Sequence, residues 1–159
     1  MARLGEVERL AERLKGEFGA TTYAHFAALH LARVAVVEGD LEVAERELRW
    51  VLSQAASGTE LAAVAQQRLA RVVAASGDTK AALALLDSPR DTSFAATYSL
   101  ARGDVLLQAG REEEARGAYE QARSLAAQYP GQVNLLTVER KLAHLSPRQV
   151  RANAGEVQP

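Results

Sequence analysis

Three histidines, a run of glutamates and two arginines set about one repeat apart are the residues whose types invite a chemical role. His25 and His30 are five positions apart. On a helix that spacing turns the second imidazole about 500° from the first, away from the face that two metal ligands four apart would share. His144 lies far from both in sequence, so no metal site is expected. Glu112, Glu113 and Glu114 could in principle move a proton. Their position at the start of a helical stretch is better explained by the positive end of the helix dipole and by solvation. Gly103 and Asp104 fall inside a helical stretch rather than in a phosphate-cradling loop, and no Gly-x-Ser-x-Gly, P-loop or His-Glu-x-x-His pattern occurs. Zero cysteines exclude disulfides, thiolate nucleophiles and zinc–thiolate centres. The reading is a protein without catalytic residues, cofactor or metal.

The elements that carry these residues are helical. Alanine, leucine, arginine and glutamate dominate, and the four prolines stand at 89, 130, 147 and 159, so helix propensity is high nearly throughout. With 159 residues, 48% of them hydrophobic, the chain has the size of one globular domain. Its 19 basic and 20 acidic residues leave a net charge of −1, which offers no global field for nucleic acid, and no small-molecule substrate is indicated either. No stretch reaches the roughly 20 apolar residues of a spanning helix, and residues 1–6 lack a signal-peptide pattern. The chain is therefore expected to be a soluble domain without anchor or signal.

Internal repetition decides the fold class. Gly39, Gly77 and Gly110 each end a helical stretch, and Ala44, Ala82 and Ala115 each follow five residues later. The intervals of 38 and 33 residues bracket the tetratricopeptide period of about 34. Each glycine suits the left-handed position that ends a helix, and Asp40 and Asp78 stand next to it as caps for the following helix. The expectation is all-α: a TPR-like right-handed helical-hairpin solenoid of about three repeats, with an N-terminal helix and a C-terminal capping helix. Helices are expected over 3–18, 21–38, 41–56, 59–76, 79–87, 92–109, 112–128 and 132–145. The division is an amphipathic helix within 1–20, a TPR-like domain over 21–145 and a polar tail over 146–159. The first helix should bury Val7, Leu10, Leu14 and Phe18, with Glu12 and Lys15 paired on its wet side; the last should bury Leu135, Val138, Leu142 and Leu145.

Stacked hairpins form a concave wall from their first helices, and side chains there meet a partner rather than the core. Aligning the glycines places Phe26, Leu29, Arg33 and Val36 on that wall in the first unit. The second unit contributes Val64, Gln67, Arg71 and Ala74, and the third Thr97, Leu100, Asp104 and Leu107. The same repeat position thus reads Arg33, Arg71, Asp104. Two readings stay open: the guanidiniums pair with carboxylates on an extended partner segment, or they pair internally with Asp104 or Glu38. A chaperone-tail carboxylate clamp would want Lys and Asn where Leu29 and Arg33 stand, so that activity is disfavoured. Trp50 lies off the main apolar stripe of its helix, either packed against a neighbouring hairpin or the first helix, or exposed as a partner hot spot. Tyr23, Tyr98 and Tyr119 read as interhelix packing. Phe26, Leu29, Arg33, Arg71, Asp104 and Trp50 form the candidate protein-binding surface.

Particular words then stand out: Tyr23-Ala24; Val37-Glu38-Gly39-Asp40-Leu41; Leu48-Arg49-Trp50-Val51; Leu69-Ala70-Arg71-Val72; Arg102-Gly103-Asp104; Ala115-Arg116; Ala118-Tyr119; and Lys141-Leu142. In order and spacing, from about residue 11 to 145, they resemble the YfgM-like family, the ancillary subunit of the SecYEG translocon. The resemblance implies a TPR domain on the periplasmic side of the bacterial inner membrane, held there by an anchor that would precede residue 1. It implies association with the translocon, a membrane-anchored periplasmic chaperone and secretory clients, and no catalysis. The alternative is a generic cytosolic TPR adaptor that grips an extended peptide.

Overall fold

The computed structural model describes residues 2–19, 21–87 and 92–145. The expected polar tail over 146–159 and the break at Ser88 and Pro89 lie outside them. Among the described residues the helices are α1 (Ala2–Phe18), α2 (Thr22–Glu38), α3 (Leu41–Gln54), α4 (Glu60–Ala75) and α5 (Thr79–Leu86), then α6 (Ala95–Gln108), α7 (Glu112–Gln128) and α8 (Leu135–Leu145). A short 3-10 turn, Thr92–Phe94, leads into α6, so that helix begins three residues later than its sequence indicates.

One hydrogen-bond pattern turns the chain at all three glycines. Gly39 has φ 82°; its N–H donates to the Val36 carbonyl and the Asp40 N–H reaches back to Ala35. The pattern recurs at Gly77, with donations to Ala74 and from Asp78 to Val73, and at Gly110, with donations to Leu107 and from Arg111 to Leu106. These are Schellman closures, which satisfy the last carbonyls of one helix and place the next residue to open its partner. Asp40 then accepts from the Val43 N–H at 3.0 Å and Asp78 from Ala81 at 2.9 Å. Arg111 makes no side-chain cap; it pairs with Glu114 at 2.6 Å instead.

The resulting hairpins are α2/α3, α4/α5 and α6/α7, with α8 covering α7 and α1 lying on α2. Ala44, Ala82 and Ala115 are fully buried where the second helix of each pair approaches the first. Successive hairpins stack through α3 against α4 and through α4 and α5 against α6, which makes a solenoid rather than a closed bundle. One core runs from Ala11 of α1 to Val105, a second from Leu106 to Leu145, and Leu83 touches both. In α6 a Cβ on Gly103 would collide with the Tyr119 ring, so the small residue there sets the spacing between α6 and α7.

Two expectations about apolar stripes change. On α1 Ala11 is buried, with Val7 and Leu14 half-covered, whereas Leu10 and Phe18 are exposed. The helix is rotated toward Lys15, which is drawn inward by a buried carboxylate on α3. On α8 Val138, Leu142 and Leu145 are buried but Leu135 is not, because α8 starts at that residue.

Candidate protein-docking surface

The wall formed by α2, α4 and α6 divides into two junctions of opposite electrostatic character. At the second, between α4 and α6, Arg71 meets Asp104 with an N···O distance of 2.9 Å. The other oxygen of Asp104 accepts from the Tyr119 hydroxyl at 2.8 Å and pairs with Lys141 at 2.7 Å. Lys141 also lies 5.6 Å from the centre of the Tyr119 ring. One carboxylate therefore ties together α4, α6, α7 and α8. Burial pushes the Tyr119 phenol well above its ordinary value, and the adjacent Asp104 charge pushes it further the same way. Of the two readings left open for Arg71, the structure gives the internal pair; Arg71 and Asp104 join the second hairpin to the third and to the cap.

Arg33 behaves differently. It is exposed on α2, and its side chain has no ion pair or hydrogen bond among the described residues. Phe26, at 60% exposure, stands on the same helix, as do Val36 and Val37. Leu29 is corrected: it is buried in the first core, where it cannot meet a partner. Tyr23, read as packing, is instead exposed, while Tyr98 and Tyr119 are buried as expected.

Trp50 is half-covered and faces α1 and α2. The Lys15 ammonium lies 5.2 Å from its ring centre, and the His25 ring packs against it at 5.7 Å with a 55° tilt. This is the packing alternative of the two weighed for Trp50. Beneath it Glu47 is wholly buried, and its carboxylate binds Lys15 at 2.8 Å and Arg46 at 3.2 Å. Burial opposes the Lys15 charge, but the hydrogen bonds it donates to Glu12 and Glu47, with their negative charges, outweigh it and raise the ammonium pKa. Sequence reasoning missed this contact. The available signal was a glutamate on the apolar stripe of α3, three residues after Ala44 and four before Val51.

Arg102, which occupies a packing position usually held by an apolar residue, reaches back to Asp87 at the end of α5. At the far end of the wall Gln132, from the α7–α8 connection, accepts from the Ala96 N–H, and its carbonyl accepts from Thr97. Clefts interrupt the surface. One of about 310 Å³ lies between the first two hairpins; another of about 460 Å³ lies beside Val64, Gln67 and Thr97. Among the described residues no group of three or more His, Asp or Glu is placed to hold a metal, and no helix is long and apolar enough to cross a membrane.

The chain matches the tetratricopeptide repeat-like domain family over residues 2–146. It is 36% identical over 110 residues to the ancillary SecYEG translocon subunit of Escherichia coli (strain K12), covering 69% of this chain and 52% of that protein. The subunit of the same name from Aggregatibacter actinomycetemcomitans is 33% identical over 106 residues, 67% of this chain and 52% of the relative. That of Neisseria gonorrhoeae (strain ATCC 700825 / FA 1090) is 38% identical over 81 residues, 51% and 38% respectively. The chain thus spans about half the length, or less, of these curated relatives. With three hairpins in place, the family match along nearly its whole length and these relatives beside it, the chain belongs to the tetratricopeptide repeat-like family, in its YfgM-like branch.

Proposed function

We propose that this chain is a non-enzymatic scaffold that docks the SecYEG translocon and a membrane-anchored chaperone on the periplasmic side of the inner membrane, where it assists emerging secretory clients. The observation that carries this reading is an open helical wall, with Arg33 and Phe26 offered to solvent, on a chain whose relatives bear the translocon subunit's name. The non-catalytic part is supported by what two covered carboxylates do: the half-buried Asp104 and the buried Glu47 each pair with cations on other helices and so hold helices together.

The test uses the natural full-length protein, tagged and crosslinked in the membranes of its own host, then isolated and identified by mass spectrometry. Enrichment of translocon subunits and an envelope chaperone over an untagged control is expected. Recovery of cytosolic proteins alone would overturn the proposal in favour of a cytosolic adaptor.

A further inference from the structure

The two junctions of the wall differ in one respect that points outward. Where α4 meets α6, the repeat-equivalent positions are Arg71 and Asp104, and they form an ion pair. Where α2 faces α4, the equivalent positions are Arg33 and Arg71, two cations, and among the described residues no carboxylate lines the cleft they border. The first interval is also five residues longer than the second, 38 against 33. In keeping with that, α4 lies against α3 and α6, while α2 and α4 are not a closely packed pair. A cleft of about 310 Å³ opens there. Leu41 and Leu48 of α3 and Val72 of α4 contribute its apolar lining; Arg33 lines it from α2, and Arg68 and Arg71 line it from α4, Arg71 being already paired with Asp104. Arg33 and Arg68 are exposed, and neither has an ion pair among the described residues.

We propose that this cleft receives an acidic, aliphatic segment of a protein partner, with carboxylates on Arg33 and Arg68 and an aliphatic side chain against Leu41, Leu48 and Val72. The partner's carboxylate takes the place that Asp104 fills at the next junction. Guanidinium groups suit this role because their planar fork accepts a carboxylate through two donors. An apolar lining adjoining them rewards a neighbouring leucine-sized side chain. Charge argues against the chain's own C-terminal residues as the occupant, since Arg148 and Arg151 lie there with a single acidic side chain, Glu156. The inference rests on the scaffold reading and specifies what one part of that scaffold grips.

The test is fluorescence anisotropy with a labelled 12-residue synthetic peptide of alternating Asp and Leu. Two further peptides replace every Asp by Lys or every Leu by Ser. The acidic aliphatic peptide should bind, more weakly as salt rises, and each altered peptide should bind at least tenfold more weakly. The Arg33→Glu/Arg68→Glu double variant should lose at least tenfold in affinity with an unchanged melting curve, and Arg140→Glu, exposed on α8, should lose nothing. If the double reversal does not fold, Arg33→Gln/Arg68→Gln reads the same loss. Equal binding of the Asp and Lys peptides, or undiminished binding by a folded double variant, would overturn the assignment. So would sedimentation showing a dimer that Arg33→Glu dissociates, which would give the cleft to a second copy of the chain. The outcomes separate from those above: translocon crosslinks without peptide binding sink the cleft alone, and peptide binding without translocon crosslinks sinks the translocon role alone.

Discussion

Single residues account for how the hairpins turn and how the second junction closes. Gly77 has φ 100°, and a Cβ there would meet nothing within 4 Å, so any penalty for a side chain comes from the backbone alone. Gly77→Val is expected to destabilise the fold by more than about 1 kcal/mol, and Gly77→Asn by less, because asparagine tolerates the left-handed region. Thermal melts of the two variants check both the size and the order. Tyr119 supplies a pH signature. Its folded pKa is raised by burial and then by Asp104, so the unfolded chain releases the proton first, from about pH 10, while the folded chain keeps it. The stabilisation is complete below that value and is lost as pH rises toward the folded one. Urea unfolding at pH 8 and pH 11 should show a smaller loss of stability for Tyr119→Phe than for the parent chain; an equal loss would place the phenol in ordinary solvent.

Among the elements, α1 contributes the least expected contact. A fully buried Glu47 on α3 binds Lys15, whose side chain is only 10% exposed, and the same ammonium lies over Trp50. Removing Lys15 leaves the buried Glu47 carboxylate with only the exposed Arg46 as its cation among the described residues, so Lys15→Ala should cost about 3 kcal/mol, the low end for breaking a buried pair. It should also raise amide exchange along α1 and shift the emission of Trp50, the chain's one tryptophan. An unshifted emission with normal protection of α1 would show that the clasp contributes nothing. The helices and their turns were legible in sequence because glycine, aspartate and alanine act locally: a left-handed residue, a capping oxygen and a missing side chain each declare themselves within a few positions. What α1 buries was not legible. Leu10 and Phe18 have the right periodicity, but the rotation of the helix is set by Glu47, a residue 32 positions beyond Lys15. The candidate wall was legible by half for the same reason. Repeat arithmetic placed Arg33 and Arg71 at equivalent positions, yet only the third dimension brings Tyr119 and Lys141 to Asp104 and buries Leu29.

For the whole molecule, unequal repeat spacing produces an uneven wall: a cross-braced half around Asp104 and an open half around Arg33. On the docking proposed above, recognition sits at the open junction and stability mainly at the braced one, with Arg71 bordering both. Weakening the braced half should lower the melting point while partner capture persists through Arg33 and Arg68, since Asp104 holds Arg71, Tyr119 and Lys141 together. Asp104→Asn, which keeps the shape and removes the charge, is expected to cost about 1.5–3 kcal/mol in urea unfolding, with crosslinking to partners retained.

The docking role is tested most directly by placing a photoreactive amino acid at Val36, beside Arg33 in the open cleft, and another at Arg140 on α8, in the full-length protein in living cells. Adducts with translocon subunits or an envelope chaperone from position 36, and few from position 140, are the predicted result. Equal adducts from both positions, or none from position 36 while the protein is folded and in place, would contradict the account.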